Sequence, residues 1–291
     1  MDKHAYLIMA HNNYDYLNKL ISVLDDTRND IYLHIDAKDT LFCEDQLIPP
    51  ENSNLIYIER KKIYWGGFSQ TICELDLLQE AVKKEYAYYH LLSGADFPIK
   101  SQDYIHNFFS INKGYEFVGF DNEWNENKIR YRQYYTDVGR DKKITTIAKK
   151  IINLIYLKLQ KITRRTPTYD IKVYKGANWF SITHDLALFV LENRKLIYDN
   201  FSNILNSDEI FLQSIVGNSD FSKKVYKGMS AEEYESNMRH IDWNRGEPYT
   251  FKENDLDELL NSHKLFARKF DGKNELGLVD KIIKHLKEIY S

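Results

Sequence analysis

Residues 4–36 decide the fold, and they read HAYLIMAHNNYDYLNKLISVLDDTRNDIYLHID. Tyr6–Ala10 is a short apolar run that predicts a buried strand, and Asp30–Asp36 predicts a second one. Between them, apolar residues recur with a helical period across Tyr14–Leu24. A strand, a helix and a strand at this spacing predict two parallel strands joined by a helical crossover.

The same alternation continues outward from this unit. Leu55–Ile58 and Tyr86–Leu92 predict further strands, and Phe68–Lys84 predicts a helix. The sequence therefore predicts an α/β fold with a mostly parallel central sheet flanked by helices. The less regular second half is predicted to hold strands at Glu116–Phe120, Trp179–Thr183 and Met238–Trp243 and helices at Ile144–Ile162, Asp208–Val216, Asn254–Leu260 and Val279–Ile289. No repeat or linker divides the chain, so we expect a single compact domain over residues 1–291 with an elaborated second half.

Composition narrows the class of protein. Hydrophobic residues make up 43% and charged residues 29% of 291 residues, which excludes wholesale disorder. No apolar run reaches the roughly 20 residues that cross a bilayer, and the amino terminus does not resemble a signal peptide. Two cysteines are too few for a disulfide scaffold. These features predict a cytoplasmic protein with free thiols.

Charge is unevenly distributed along the chain. The net charge is -3, which argues against nucleic acid as a partner. Residues 128–175 nevertheless contain fourteen Lys and Arg against three Asp, a local net charge of +11. The basic amphipathic helix within 144–165 is either a solvated helix that covers the sheet or a surface for anionic membrane. Nucleic-acid binding through this segment would require steep salt dependence.

Ligands of parallel sheets bind beyond the carboxyl ends of the strands. His11, Asp36 and the turn Ser93–Asp96 follow three predicted strands and are the first candidates for a site. The phosphate loop of nucleotidases, the dinucleotide-binding glycine motif, the hydrolase Gly-x-Ser-x-Gly elbow and Cys-x-x-Cys pairs are all missing from the sequence. The easily recognised nucleotidases, dehydrogenases, hydrolases and zinc folds are thereby excluded.

The sequence also lacks an Asp-x-Asp motif directly after a strand, where a metal-dependent sugar-nucleotide transferase would hold its cation. Asp255–Asp257 opens a predicted helix, where acidic residues simply favour the helix dipole. His34 and Asp36 occupy a suitable position but offer only one carboxylate. Asp36 is better suited to hydrogen-bond a base or ribose hydroxyl, so no metal is expected.

Six motifs then occur in a characteristic order. They are DIYLHIDAK at 30–38, YWGGFSQ at 64–70, YHLLSGADFPIK at 89–100, SDEIF at 207–211, RHIDW at 239–243 and LFARKFD at 265–271. Together they resemble the core-2/I-branching β-1,6-N-acetylglucosaminyltransferases, a family that also includes peptide O-xylosyltransferases and many bacterial members. The resemblance covers about residues 4–285. It implies a GT-A-like fold, an inverting reaction, a UDP-sugar donor and no metal cofactor.

The resemblance also implies roles for individual residues. Glu209, predicted at the first turn of a helix that Ser207 or Asp208 can cap, matches the catalytic base. Lys269 matches the lysine that contacts the donor diphosphate. Arg245 is the nearest candidate for a second cation, although its spacing is out of strict register with the animal enzymes.

For the donor nucleoside, His11 and Asp36 match the binding positions. Asp96 either contacts the donor or braces the turn before Pro98. Residues 1–120 would form the nucleotide-binding half and residues 121–291 the acceptor-binding and catalytic half.

The acceptor side is less sharply marked. Glu126, Lys128, Arg130 and Arg132 fall where the family gathers polar residues around the acceptor sugar. Trp179 and Trp243 either stack on sugar rings or belong to the core.

The activity expected is transfer of a sugar to a glycan hydroxyl in bacterial capsule, exopolysaccharide or glycoprotein assembly. The predicted sugar is N-acetylglucosamine, and its predicted donor is UDP-N-acetylglucosamine. Two alternatives remain. One is a xylosyl- or galactosyltransferase on the same scaffold, and the other is a carbohydrate-binding homologue without turnover. Retention of Glu209 and Lys269 favours an enzyme.

Overall fold

The computed structural model describes residues 2–123, 169–274 and 276–288, together with 151, 154, 155, 158–160, 162 and 163. The strands are β1 (His4–Ala10), β2 (Asn29–Ile35), β3 (Asn54–Tyr57), β4 (Tyr88–Ser93), β5 (Asp96–Pro98), β6 (Ser181–Thr183), β7 (Arg239–Ile241) and β8 (Phe266–Arg268). The longer helices are α1 (Tyr14–Leu24), α2 (Phe68–Ala81), α3 (Gln102–Ile111), α4 (His184–Glu192), α5 (Arg194–Phe201), α6 (Phe211–Gly217), α7 (Glu233–Asn237), α8 (Leu256–Asn261) and α9 (Leu276–Glu288).

The central sheet has the strand order β3-β2-β1-β4-β6. β1 to β4 are mutually parallel, and β6 runs antiparallel to β4. This arrangement confirms the predicted α/β fold with a mostly parallel sheet flanked by helices. The predicted bounds of α1 are also those of the structure.

β1 lies at the centre of the sheet and is buried on both faces. Ala5 and Leu7 point into one hydrophobic core, which also contains Leu75 of α2. Tyr6 and Ile8 point into a second core, which α1 helps to form. Because both faces are covered, the strand reads as a continuous apolar run rather than as alternating apolar and polar residues.

A second, smaller sheet was not expected. Its order is β5-β8-β7, with β5 antiparallel and β7 parallel to β8. Each strand has only three residues, so none carries a readable alternation of its own. The sheet matters for function because the chain leaves β8 directly at Lys269.

The strand predicted at Glu116–Phe120 is wrong. Only isolated bridges occur there, from Glu116 to Val225 and from Phe117 to Ser181. The Glu116 carboxylate is buried and accepts hydrogen bonds from the Thr183 amide at 2.9 Å and the Thr183 hydroxyl at 2.6 Å. This side chain thus adds to the single pair of backbone hydrogen bonds between Phe117 and Ser181 that ties the segment to β6.

Other boundaries shift by a few residues. The helix predicted to begin at Asp208 begins at Phe211, after a 3-10 turn over Ser207–Glu209. The last helix begins earlier than predicted, at Leu276. Of the helix predicted over Ile144–Ile162, most lies outside the described residues, and those described between 151 and 162 are helical.

Both hydrophobic cores contain residues from each side of residue 120, such as Val118 with Ile210 and Leu33 with Phe266. The division into a nucleotide-binding half and an acceptor-binding half stays a prediction. In the part of the chain that the structure describes, none of the helices has the length and apolar composition that crossing a membrane requires.

Candidate active site

Three parallel strands end at the same edge of the central sheet. The amide of Asp36, after β2, donates to the carbonyl of Ala10 at the end of β1 over 2.9 Å. The amide of Gly94, after β4, donates to the carbonyl of Met9 over the same distance. His11 directly follows Ala10, so the segments that leave β1, β2 and β4 lie side by side.

Asp36 is buried at this edge, with its carboxylate held by its own loop. Oδ1 accepts hydrogen bonds from the Lys38 amide at 2.8 Å and the Ile63 amide at 3.3 Å. The Lys38 ammonium lies 3.4 Å from Oδ2. This fixed carboxylate suits the role of accepting hydrogen bonds from a base or a ribose hydroxyl.

His11 is exposed beside Asp36, and the charges that act on it identify its neighbours. Partial desolvation lowers the pKa of His11, and Lys38 and Lys269 lower it further, whereas Asp36 opposes them. Residues far apart in sequence therefore meet at the strand ends. We call His11, Asp36, Lys38 and Lys269 the strand-end cluster.

Lys269 is positioned by the residues on either side of it. Arg268 donates from Nη1 to the Ser93 hydroxyl at 2.6 Å, and the Phe270 amide donates to the Ala95 carbonyl at 3.0 Å. Both contacts fasten Lys269 to the turn that follows β4. Its side chain is exposed, and no carboxylate of the described residues pairs with its ammonium group.

Gly272 allows the chain beyond Lys269 to pass closely over the start of α1. A Cβ at Gly272 would lie 2.9 Å from the Cβ of Tyr16 and 2.9 Å from Nδ2 of Asn13. Any larger residue would push the loop after β8 away from α1. The glycine thereby helps to hold Lys269 at the strand ends.

Asp96 braces the turn, which is one of the two roles predicted for it. It is buried, its carboxylate accepts from the Ser93 amide, and both of its oxygens lie 3.3 Å from Nη1 of Arg268. The guanidinium of Arg268 also covers the ring of half-buried Trp179, 4.6 Å from its centroid. A direct contact of Asp96 with the donor stays a prediction.

Glu209 lies in the 3-10 turn, where three segments of chain converge. Its carbonyl accepts from the Gly176 amide at 2.9 Å, and the Asp121 amide donates to the Lys175 carbonyl at 2.8 Å. A Cβ at Gly176 would lie only 1.9 Å from the Gly119 carbonyl oxygen, so this close approach requires glycine. The backbone contact brings Lys175 and Asp121 next to Glu209.

The predicted capping of a helix by Ser207 or Asp208 is wrong. No side-chain hydrogen bond caps the 3-10 turn. The Ser207 hydroxyl hydrogen-bonds to the Thr71 hydroxyl at 2.7 Å, and Asp208 accepts from Gln70 at 3.1 Å.

Lys175 is a functional candidate that the sequence did not reveal. Its ammonium lies 3.3 Å from Oε2 of Glu209 and 3.6 Å from Oδ2 of Asp121. Burial opposes the charge, but Glu209, Glu233 and Asp121 outweigh it and raise the pKa of Lys175. The half-buried carboxylate of Glu209 thus faces the ammonium group of Lys175.

Trp243 is exposed and is held by Tyr234. The residue is 51% exposed, and its indole nitrogen donates to the Tyr234 hydroxyl at 2.6 Å. Burial raises the pKa of Tyr234, and the negative charges of Glu233 and Glu209 add to the rise. The alternative that Trp243 belongs to the core is wrong, whereas Trp179 does pack partly against a core.

Arg245, the predicted second cation, is surrounded by carboxylates. Its guanidinium donates to Asp242 through Nε, to Asp255 through Nη1 at 2.8 Å and to Glu258 through Nη2 at 2.7 Å. It also lies 4.3 Å from the centroid of the Tyr249 ring. In the structure Arg245 organises the segment before α8, and its contact with a diphosphate stays a prediction.

The alternative metal positions are also occupied by protein contacts. Nε2 of His34 accepts from the Lys61 amide at 2.9 Å, and burial lowers the pKa of His34 to about 4. Asp255 binds Arg245 and accepts from the Lys252 amide. Among the described residues, no three His, Cys, Asp or Glu side chains form a group that could hold a metal ion.

The predicted acceptor residues Glu126, Lys128, Arg130 and Arg132 lie outside the described residues. Besides Lys175, the sequence did not single out Arg268 or Tyr234, whereas Lys38 belongs to the predicted strand-end segment 36–38. Arg268 and Lys38 stand inside quoted motifs, beside Lys269 and Asp36, and this adjacency was the available signal.

Comparison with known proteins identifies the family of the chain. The family model of the Core-2/I-Branching enzyme matches residues 4–261, which is most of the chain. The chain belongs to the Core-2/I-branching enzyme family. It is therefore placed among glycosyltransferases, and the family resemblance inferred from the six motifs is confirmed.

Individual relatives are distant. The chain is 24% identical to an N-acetyllactosaminide β-1,6-N-acetylglucosaminyl-transferase of Homo sapiens, with 92% of this chain and 68% of the relative covered. It is 20% identical to a β-1,3-galactosyl-O-glycosyl-glycoprotein β-1,6-N-acetylglucosaminyltransferase of Bos taurus, with 97% and 69% covered. A xylosyltransferase of Ciona intestinalis is 22% identical, with 97% of this chain and 33% of the relative covered.

Among solved structures, the apo form of mouse xyloside xylosyltransferase 1 superposes with a TM-score of 0.40 at 9% identity. The superposition covers 92% of this chain and 97% of the mouse chain.

Proposed function

We propose that this member of the Core-2/I-branching family is an inverting, metal-independent glycosyltransferase that moves N-acetylglucosamine from UDP to a glycan hydroxyl. The observation that carries the proposal is the ion pair of Glu209 with Lys175, which fixes a carboxylate in a half-buried site where an acceptor hydroxyl can reach it. In the reaction, Glu209 removes the proton of the acceptor hydroxyl while the oxygen of that hydroxyl attacks the anomeric carbon of the donor sugar. The bond from that carbon to the diphosphate breaks, and UDP leaves.

Charge on the departing diphosphate needs a cation in the site. Lys269 supports this role because its ammonium is exposed beside His11 and Asp36 and pairs with no carboxylate in the described ranges. Arg245 would first have to leave its three carboxylates. The proposal therefore rests on Lys269 for neutralising the leaving group, with His11 and Asp36 binding the nucleoside.

N-acetylglucosamine is proposed over xylose or galactose because the names of the human and bovine relatives contain that sugar. The match to this chain covers 68% of the human relative and 69% of the bovine one. A bacterial glycan in capsule, exopolysaccharide or glycoprotein assembly is the proposed acceptor. We place the protein in the cytoplasm, and its two free cysteines agree with a reducing compartment.

We expect UDP-sugar turnover to persist in excess EDTA, because Lys269 supplies the positive charge that a divalent cation supplies in metal-dependent transferases. The measurement is UDP release from a panel of UDP-N-acetylglucosamine, UDP-xylose and UDP-galactose, with and without EDTA. Loss of activity on chelation that manganese restores would contradict metal independence. If the protein binds UDP but releases no UDP from any of the three UDP-sugars, the carbohydrate-binding alternative is favoured.

We further propose that the segment 144–165 contacts an anionic membrane, where a lipid-linked acceptor would be found. Five helical residues of this segment expose at least half of their side chains: Ile151, Leu154, Ile155, Leu159 and Ile162. Their spacing of three and four residues places them on one helix face, whereas Gln160 is buried. An exposed aliphatic face within residues 128–175, which carry a net charge of +11, fits a surface of anionic lipid.

The protein should co-sediment with vesicles that contain phosphatidylglycerol at low salt and be released at high salt. Replacing Lys149, Lys150, Lys158 and Lys161 with Gln should abolish this binding without changing turnover on a soluble acceptor. Ile111→Ser, on an exposed aliphatic residue of α3, is the matched control and should not reduce binding. Equal binding to purely zwitterionic vesicles, or none at low salt, would overturn the proposal.

A further inference from the structure

The loop that carries Glu209 is fastened to the segment around the start of α2. The Asn206 amide donates to the Gly66 carbonyl at 2.9 Å. The hydroxyl groups of Ser207 and Thr71 hydrogen-bond at 2.7 Å, and both residues are fully buried. Asn206 and Ser207, the two residues that precede Asp208, are thus anchored. These contacts restrict the position of the loop.

Behind this loop lie two buried carboxyl groups with too few donors. Asp208 accepts through Oδ2 from Gln70 at 3.1 Å and from Asn178 at 3.3 Å, while its Oδ1 has no partner in the described part of the chain. Glu74, one turn further along α2 from Gln70, is fully buried, and neither of its oxygens has a hydrogen-bond partner among the described residues. The Oδ1 of Asn178 is also unpartnered there.

No cation in the described ranges forms an ion pair with either carboxyl group. Lys175 is the nearest positive charge that acts on Asp208, but its ammonium pairs with Glu209 and Asp121. Two unpaired carboxylates in a core would be strongly destabilising. A protonated carboxyl group, in contrast, is neutral and is itself a hydrogen-bond donor, which this cluster lacks.

We propose that Glu74 and Asp208 form a buried acid pair that retains protons at neutral pH and thereby positions the Glu209 loop. Neither residue touches a substrate, so both are positioning residues. The inference rests on the proposed role of Glu209 only for its effect on turnover. The protonation of the pair itself is independent of that role.

The electrostatics of the neighbouring elements support protonation. Burial raises the pKa of Glu74 well above its ordinary range, Asp208 raises it further, and Asn178 opposes the rise. Burial and then Glu209 raise the pKa of Asp208 to about 7, against the backbone amides and Lys175. On the far side of Lys175, Asp121 and Glu233 add negative charge, and Gln70 faces the pair from α2 without charge.

The sign of the pH dependence follows. Because the pKa of Asp208 is higher in the folded than in the unfolded chain, the folded chain binds more protons between about pH 4 and pH 7. Stability from this group is complete below about pH 4 and is lost as the pH rises through about 7. Above that pH, a second negative charge beside Glu209 competes for Lys175 and loosens the loop.

The test measures melting temperature and kcat/KM from pH 5 to pH 9 for wild type, Glu74→Gln and Asp208→Asn. Both variants should melt higher than wild type above pH 7, and the difference should shrink as the pH falls towards 5, since neutral amides cannot ionise. Asp208→Asn should also lose the decline of kcat/KM above about pH 7. Glu80→Gln, on an exposed residue of α2, is the control and should follow wild type at every pH.

Infrared difference spectra of the wild-type protein in D₂O, recorded between pH 6 and pH 9, test the same point if a variant fails to fold. A carboxylic-acid C=O band at neutral pH that is lost on titration supports the pair. Its absence, or parallel melting curves for all four proteins, would overturn the proposal. Destabilisation of wild type but not of Glu74→Gln by EDTA would also overturn it, because a metal ion would then occupy the cluster.

The outcomes separate this proposal from the proposed function. Absence of transfer from every UDP-sugar would contradict the function and leave the melting and infrared results as evidence on the pair. An unchanged pH profile in active enzyme, with altered melting curves, would show that the pair does not position the Glu209 loop.

Discussion

Replacing Glu209 with glutamine is expected to lower the turnover of a UDP-sugar by about 10²–10⁴-fold, the usual contribution of general base catalysis. Glutamine keeps the size of the side chain but cannot accept the proton of the acceptor hydroxyl. UDP affinity should remain nearly unchanged, because the base faces the acceptor rather than the nucleotide. The measurements are steady-state turnover and calorimetric titration with UDP.

Glu80→Gln is a suitable control for this substitution, since Glu80 is exposed on α2 and pairs only with Lys83 among the described residues. The role of Glu209 as base is contradicted if Glu209→Gln weakens UDP binding as much as it slows turnover. Glu209 would then be a structural residue of the donor site. The base would have to be sought among Asp96, Glu126 and Asp242, and also Asp121 and Glu233, which act on Lys175.

Lys269→Ala is expected to weaken UDP binding by about 1.5–3 kcal/mol, the contribution of a hydrogen bond to a charged group. Turnover should fall as well, because the same contact stabilises the leaving diphosphate in the transition state. Titration of the variant with UDP and with uridine separates the two parts of the ligand. Affinity for uridine, which has no phosphate, should be unchanged.

Lys284→Ala, which removes an exposed cation on α9, provides the matched control for charge. Equal UDP affinity in Lys269→Ala and wild type would show that another cation holds the diphosphate. Arg245 and Lys38 would then be the next residues to change. The first of these is held by three carboxylates and the second by Asp36.

The first half of the fold could be predicted because its signals are local. β1 and β2 are buried on both faces, so each contains consecutive apolar residues, at 5–10 and 31–33, and the period of α1 lies within one stretch of chain. Glu116–Phe120 has the composition of a strand, yet it forms only isolated bridges and is also held by the carboxylate of Glu116 on Thr183. Such a contact depends on a residue far along the chain and leaves no local pattern.

The candidate site divides in the same way. The positions of His11 and Asp36 could be predicted because the ends of apolar strands can be located in the sequence. Glu209 and Lys269 could be selected as candidates because they belong to quoted motifs. No motif contains Lys175. Its position beside Glu209 depends on the close approach of the Gly176 and Gly119 backbones, which occurs only in the folded chain. The exposure of Trp243 also became clear only in three dimensions.

The loop that follows β8 affects the order in which the residues of the candidate site come together during synthesis. His11 and Asp36 precede Lys269 by more than two hundred residues, so they are synthesised long before β8. Lys269 reaches them only after β8 has docked between β5 and β7. With the roles proposed for these residues, a growing chain that has not yet reached β8 could not hold a diphosphate at this edge of the sheet.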